Sequence, residues 1–379
     1  MKAIILAAGQ GTRLKKYTEN LPKGMLMFNG KTIIERQIEE YRAAGIKDII
    51  VVRGFAADKI QYEGVKYYTN EKFATTNMVE SLMAAREEFG DDCIVSYSDI
   101  LFTQEMLKGM MAEPNDFTVA VDDNWKAYWQ ARYGRVDFDT ESLEIDVNDN
   151  ILSLGQEAPN IEEISARYIG LLKFSKNGLK HIVDILERDY SKFEDKPWML
   201  SGKHIRQAYM TDLLMALIKD GYEVKASHYQ NGWVEFDTNE DYETACEWVK
   251  SGKIKEFLKE EDCRYPIVSL TGCSAKSISD YMRSFQLDLF LRGKDTSGPD
   301  RYYVGITKDV DDNHKRHKKE KFDGRNFQYI IVCKCDTAVI AADVEWNMKM
   351  KGYNIGDTDQ KGNGGDKESV YVYMFKLPE

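Results

Sequence analysis

The chain has 379 residues, a formal net charge of −11, 43% hydrophobic residues and 30% charged residues. That length points to two domains rather than one, and the acidic balance argues against general nucleic-acid or membrane-surface binding by the chain as a whole. The acidity is uneven, because residues 308–325 read KDVDDNHKRHKKEKFDGR, a local basic cluster whose plain interpretation is a solvated face.

The first element, Lys2–Ala8, is a short apolar run ended by glycine, the pattern of a buried parallel strand. It is too short for a signal peptide or a membrane span. The six cysteines lack metal spacing, so a cytoplasmic protein with reduced thiols is expected. Cys333 and Cys335 stand two apart in an apolar run and should share a strand face.

Residues 31–45 carry a helical pattern through Ile33, Ile34, Ile38 and Tyr41, closed by Gly45. A second strand (48–54), a helix (77–89) and a third strand (93–97) follow. This β-α-β-α-β order predicts an α/β fold, a doubly wound, mostly parallel sheet with right-handed crossovers. Ligands of such sheets sit beyond the carboxyl ends of the strands, which places Ala8–Arg13 and Ser98–Asp99 at one crevice. From 117 to 175 strand-like pieces dominate, namely FTVAVD, YGRVDF, LEIDV and YIGLLKF. Helices are expected at 176–189 and 207–220, then a strand at WVEFD and a helix from Asn239 to Lys250. The first domain is therefore drawn as 1–250. The polar segment 251–264 is the expected boundary, and 265–379 the expected second, small α+β domain, with a long loop at 356–368.

Four features carry chemistry. Leu6-Ala7-Ala8-Gly9-Gln10-Gly11-Thr12-Arg13-Leu14 delivers a strand into a turn where Gly9 and Gly11 allow close backbone approach to a phosphate, with Arg13 facing it. Its spacing is neither that of the Walker loop nor that of dinucleotide folds. Pro22 stiffens the chain before Lys23, a cation suited to an α-phosphate and a leaving pyrophosphate. Asp99 and Asp237 each follow a strand, and two converging carboxylates are the ordinary way to hold Mg²⁺ against phosphates. Taken singly, each of the four has a bland alternative: a turn, a surface lysine, a capping aspartate.

Together they resemble the nucleotidyltransferase family that makes nucleotide-activated sugars, cholines and phosphonates. Its LAAGxGxRL loop matches Leu6–Leu14, its PK motif matches Pro22-Lys23, and its two metal aspartates match Asp99 and Asp237. Thr75-Thr76-Asn77-Met78-Val79-Glu80-Ser81-Leu82, Ser96–Phe102, Tyr128–Tyr133, Tyr168–Leu171 and Met210–Leu214 are similar to segments of the cytidylyltransferases for phosphocholine and 2-aminoethylphosphonate. The resemblance implies CTP as donor, Mg²⁺ as cofactor and a small phosphate- or phosphonate-bearing acceptor, with release of pyrophosphate. Leu6, Ala7, Ala8, Gly9, Gly11, Thr12, Arg13, Lys23, Thr76, Asn77 and Ser98 are the expected nucleotide contacts. A sugar-1-phosphate nucleotidyltransferase using UTP or dTTP is the alternative enzyme.

For the acceptor, Tyr128, Trp129, Arg132, Tyr133, Asp212 and Glu235 are the candidates. The aromatic run Trp125–Tyr133 has two open interpretations. It could form a cage for an amine beside a carboxylate, or a helix that packs an aromatic stripe into the core. Arg132 could hold a phosphonate or carboxylate.

In the second domain, Tyr302-Tyr303-Val304-Gly305, then His317 and Glu345, resemble part of the GIY-YIG endonuclease signature. Asn313 stands where an arginine is expected. An upstream GIY strand is missing, with Leu289-Phe290-Leu291 the nearest run. Gly362–Gly365 reads as a loop that touches phosphates or simply turns the chain. A binding, docking or structural unit is the expectation, and a nucleotide- or nucleic-acid-binding protein acting through this domain is the alternative of another class.

Overall fold

The computed structural model describes residues 1–157, 160–258, 267–269, 274–291, 298–322, 331–355 and 367–377. The chain divides into two compact units, Met1–Leu26 with Thr32–Glu261, and Met27–Lys31 with Asp262–Glu379.

The first unit is built on a seven-stranded sheet in the order Lys225–Tyr229, Phe117–Asp122, Arg167–Phe174, Cys93–Tyr97, Lys2–Ala7, Ile49–Arg53, Val65–Thr69. All neighbours pair in parallel except Arg167–Phe174, which runs antiparallel to both flanking strands. This is the expected mostly parallel α/β sheet. The edge strand Val65–Thr69 was not foreseen, because its VKYYT run is half-buried and carries little apolar signal.

Helices cover the sheet and begin where side-chain chemistry dictates. Thr32 and Glu35 form a reciprocal capping box at Ile33–Ala43, whose Ile33, Ile34, Ile38 and Tyr41 are buried. Ser175 caps Lys176–Lys192, which buries Leu179, Ile182, Ile185 and Leu186 along one face. YGRVDF is no strand: helix Trp125–Tyr133 ends at Gly134, which takes the left-handed conformation, and a turn follows.

The first unit extends to Glu261, past the 250 drawn for the first domain but inside the expected boundary segment 251–264. Ile254, Phe257 and Leu258 are buried, and the Phe257 ring lies 4.9 Å from Trp248 and 5.3 Å from Tyr128. The polar composition of 251–264 hid this apolar clasp.

The second unit is a four-stranded sheet, Ile267–Ser269, Ile331–Lys334, Tyr371–Lys376, Tyr302–Thr307, with helices Ala275–Leu291, Val310–Glu320 and Ala338–Met350. The strand that pairs antiparallel with Tyr302–Thr307 is the last one, Tyr371–Lys376, in the register Gly305↔Tyr373. The missing partner therefore comes from the C-terminal side, and Leu289-Phe290-Leu291 is helical. Cys333 and Cys335 join the same buried cluster. The Gly362–Gly365 turn lies outside the described residues. No helix among the described residues is long and apolar enough to cross a membrane.

Candidate active site

A cleft of about 800 Å³ opens at the carboxyl ends of the central strands. It is lined by the turn Ala8–Arg13, by Lys23, by Ser98 and Asp99 after the strand Cys93–Tyr97, and by Glu235 and Asp237. The turn is pinned to its surroundings, since Ser98 N–H donates to the Leu6 carbonyl at 3.2 Å and Phe55 N–H to that of Ala8 at 3.1 Å. Gly11 adopts φ +66°, and a Cβ there would meet the Lys23 Cβ at 3.0 Å. Glycine is required for both reasons, because the turn must bend left-handed and close onto the lysine.

Lys23 Nζ lies 2.6 Å from Asp99 Oδ2 and 2.5 Å from Asp237 Oδ1. Arg13 Nη2 lies 2.6 Å from the other Asp237 oxygen. The four residues expected to share one site are thus brought together from positions spread over more than half the chain. Burial favours a neutral Lys23, but the charges of Asp99 and Asp237 outweigh it and hold the ammonium well above its usual range. Burial likewise pushes Asp237 up, and Lys23 with Arg13 and Arg132 overcomes it, so this carboxyl stays below its ordinary value.

Oxygens of Asp99, Glu235 and Asp237 lie within 4.8 Å of one another. Asp99 Oδ1 is buried and accepts no hydrogen bond, a cost that a bound cation would remove. A set of carboxylate oxygens with an unsatisfied buried member fits a hard divalent cation such as Mg²⁺. Glu235, expected at the acceptor, belongs to this carboxylate cluster. Its burial raises its pKa, Arg132 opposes that, and Asp237 and Asp99 reinforce it.

Of the expected nucleotide contacts, Leu6, Ala8, Gly9, Gly11, Thr12, Arg13, Lys23, Thr76, Asn77 and Ser98 line the cleft. Ala7 does not, being a buried strand residue that points into the core. Thr76 and Asn77 are held in place locally. Thr76 Oγ1 accepts from Asn70 at 2.9 Å, and the Asn77 side chain accepts from Met78 N–H at 2.9 Å as the cap of helix Met78–Ala84.

The expected acceptor group fares differently. Trp125, Tyr128 and Trp129 are at most 2% exposed, so the aromatic run is core and not a cage. Tyr133 packs against Phe138 and Trp129 and, like Tyr128 and Trp129, is not a lining residue. Arg132 is buried and consumed by Asp241 and Glu235. Asp212 is a capping residue. It accepts from Tyr209 N–H at 3.0 Å at the start of Met210–Lys219, and from Ser201 N–H at 3.0 Å and Ser201 Oγ at 2.7 Å. A helix face periodic in aromatics and a carboxylate at the third helical position are the signals that favoured these structural roles.

The rest of the cleft is lined by Tyr97, Asp139, Glu141, Arg167, Tyr168 and Thr211 among others. Tyr97 and Tyr168 join hydroxyls at 2.7 Å, and Gly170, at φ +77°, makes room for the Tyr97 ring, which a Cβ would meet at 2.6 Å. Glu141 and Arg167 were missed, because neither lies in a motif. Only the antiparallel placement of Arg167–Phe174 and the hairpin strand Glu141–Ile145 carries them to the cleft.

Residues 3–139 match the MobA-like NTP transferase domain. CTP:phosphoglutamine cytidylyltransferase of Campylobacter jejuni is 33% identical over 258 residues, covering 65% of this chain and 100% of that one. Choline-phosphate cytidylyltransferase of Streptococcus pneumoniae is 34% identical over 171 residues, covering 43% of this chain and 73% of its own length. The solved structure of a CTP:phosphocholine cytidylyltransferase from Streptococcus pneumoniae shares the fold, with a TM-score of 0.51 at 24% identity over 65% of this chain and 97% of that one. With its glycine turn, lysine and carboxylates assembled at one cleft, the chain belongs to the nucleotidyltransferase family, in its cytidylyltransferase branch.

Proposed function

We propose that the first unit transfers CMP from CTP to a small acceptor bearing a phosphate or phosphonate, and releases pyrophosphate. The observation that carries this is the meeting of Lys23, Asp99 and Asp237 against the Gly9–Arg13 turn. The donor base is taken from the relatives, whose names specify CTP or choline phosphate.

An acceptor oxygen is already anionic at neutral pH, so no general base is needed. It attacks the α-phosphorus in line. The new P–O bond forms as the bond to the β-phosphate breaks, and the electron pair leaves with pyrophosphate. Catalysis is then positioning and charge stabilisation. Backbone N–H groups of Gly9–Arg13 hold the triphosphate. Arg13 and Lys23 stabilise charge on the α-phosphate and the leaving group. Mg²⁺, held by Asp99 and Asp237 with Glu235 beside them, would neutralise charge that otherwise keeps two anions apart.

A matrix of CTP, UTP and dTTP against phosphorylated amines and sugar 1-phosphates, read as pyrophosphate, tests this proposal. CTP alone should give turnover, and only with Mg²⁺ and a phosphorylated small-molecule acceptor. Turnover with UTP or dTTP and a sugar 1-phosphate would transfer the assignment to the sugar-nucleotide enzymes.

For the second unit we propose a binding or structural role. Its His317, Glu345 and Tyr373 are at most 2% exposed, so these three present no accessible group for strand cleavage.

A further inference from the structure

Arg13 divides its guanidinium between two carboxylates. Nη2 lies 2.6 Å from Asp237 Oδ2, and Nη1 lies 3.4 Å from Asp139 Oδ2. Burial works against the Arg13 charge, but Asp237 first and Asp139 next outweigh it and hold the guanidinium above its usual range. The two acids differ in standing. Asp237 belongs to the carboxylate cluster and also holds Lys23. Asp139 lies outside that cluster, and among the described residues Arg13 is the cation that its carboxylate meets.

Asp139 is set in place by its backbone. Its φ of +48° is a left-handed conformation that aspartate and asparagine tolerate better than most side chains. Its carbonyl accepts from Arg167 Nη2 at 2.8 Å. The preceding carbonyl, of Phe138, accepts from Trp129 Nε1 at 2.9 Å, and Thr140 Oγ1 donates to the Phe138 and Val136 carbonyls at 3.1 Å each. The Phe138 ring packs 4.8 Å from that of Tyr133. Segment 136–140 is thus a bracket fastened to the core, and it carries a carboxylate to a glycine turn 126 residues earlier in the chain. Arg13 has no such support of its own. Its side chain is 59% exposed, and a long exposed side chain loses rotamer freedom when a ligand fixes it.

We infer that Asp139 is a positioning residue for nucleotide binding: it anchors the Nη1 side of Arg13, so that the Nη2 side, next to the carboxylate cluster, is the one presented to the triphosphate. This inference rests on the nucleotidyl-transfer proposal and adds to it a residue that acts through Arg13. A planar guanidinium has donors enough to spend one side on an anchor and another on phosphate oxygens. Ordering the side chain before the nucleotide arrives lowers the cost of ordering it on binding. Asp139 is itself an anion near the phosphates, which opposes binding. Its pair with Arg13 is solvent-exposed, so this repulsion is screened by water and salt, while the anchored geometry is kept.

The test is a double-mutant cycle on the full chain, read as CTP affinity by calorimetry with Mg²⁺ and no acceptor. Asp139→Asn keeps the size and tolerates the left-handed backbone, and an unchanged melting temperature checks that it folds. At low ionic strength it should weaken CTP binding by about two- to fivefold, the strength of an exposed ion pair. Arg13→Ala should weaken binding more, and Asp139→Asn added to Arg13→Ala should then change nothing further. The Asp139→Asn effect should also shrink at high salt, which a packing role would not. Equal or tighter CTP binding by Asp139→Asn overturns the inference, because Asp139 would then only mask Arg13. So does the same loss in the Arg13→Ala background, because Asp139 would then act without Arg13. If the wild type binds no CTP, the nucleotidyl-transfer proposal falls; if it binds CTP and the cycle shows no coupling, only the role of Asp139 falls.

Discussion

Arg132 grips Asp241 with a two-bond fork, Nε to Oδ1 at 2.8 Å and Nη2 to Oδ2 at 2.7 Å, and both side chains are at most 2% exposed. Asp241 in turn accepts the backbone N–H of Asp237 at 3.1 Å and of Thr238 at 2.8 Å. The third guanidinium nitrogen reaches Glu235 at 2.7 Å. Two of the clustered carboxylates are thus aimed by a buried arginine that does not itself line the cleft.

Removing either partner leaves an uncompensated buried charge, at a cost of about 3–5 kcal/mol. Arg132→Ala and Asp241→Ala should each lower unfolding free energy by that order in urea titrations. Their double variant should cost less than the sum, which a double-mutant cycle reads directly. Purely additive losses would show that the pair does not act as a unit.

Lys23 sits between Asp99 and Asp237, the acids expected to hold the cation. Lys23→Ala should reduce turnover by about two to three orders of magnitude, the usual loss when a charge stabiliser of the transition state is removed. The same change removes the charge that offsets the two acids. The variant should therefore lose thermal stability without Mg²⁺ and gain more from added Mg²⁺ than the wild type does, because the ion then supplies the missing charge. Equal Mg²⁺ stabilisation of both proteins, seen in thermal scans, would separate Lys23 from the metal site.

Much of this site was legible in the sequence because its parts are short and local. Leu6–Leu14 and Pro22-Lys23 each announce a backbone shape, and Asp99 and Asp237 each follow a strand. What stayed hidden depends on long-range packing. Tyr128 and Trp129 carry the same letters in a cage as in a core, and only burial distinguishes them. Asp212 has a carboxylate suited to a ligand, but Tyr209 N–H and Ser201 Oγ occupy its Oδ2 and Ser201 N–H its Oδ1. Arg167 reaches the cleft through an antiparallel insertion that no local pattern records.

Glu235 should make cation binding at this site pH-dependent. Its carboxyl is raised above the ordinary value of 4.5 by burial, with Asp237 and Asp99 adding to the effect against Arg132. A raised acid stabilises the fold in its protonated form, and that contribution is lost as pH rises through its folded pKa. A cation needs the ionised form, so protons compete with it over the same range. Mg²⁺ affinity should fall on acidification while the pH is still above 4.5, and Glu235→Gln should weaken Mg²⁺ binding and flatten that fall. Calorimetric Mg²⁺ titrations at neutral and mildly acidic pH check this, and an identical pH slope in the variant would remove Glu235 from the site.

His317 makes the second unit acid-sensitive. It is 2% exposed, shares a hydrogen bond of 2.9 Å between Nε2 and the Tyr373 hydroxyl, and its Nδ1 has no partner. Burial, reinforced by Arg316, Lys321 and His314, lowers its pKa to about 3. The unfolded chain takes up this proton near pH 6.5, while the folded chain refuses it until about pH 3. Stability is therefore lost progressively as pH falls below 6.5, by about 2 kcal/mol at pH 5, since each pH unit in that window is worth about 1.4 kcal/mol. Urea unfolding followed by near-ultraviolet dichroism, which reports the packed aromatic side chains of the whole chain, Tyr303 and Tyr373 among them, should show this loss between pH 7 and pH 5. His317→Gln has no titrating ring and should lose less over the same interval, even if it starts from a lower stability. A variant as acid-sensitive as the wild type would assign the loss to other groups.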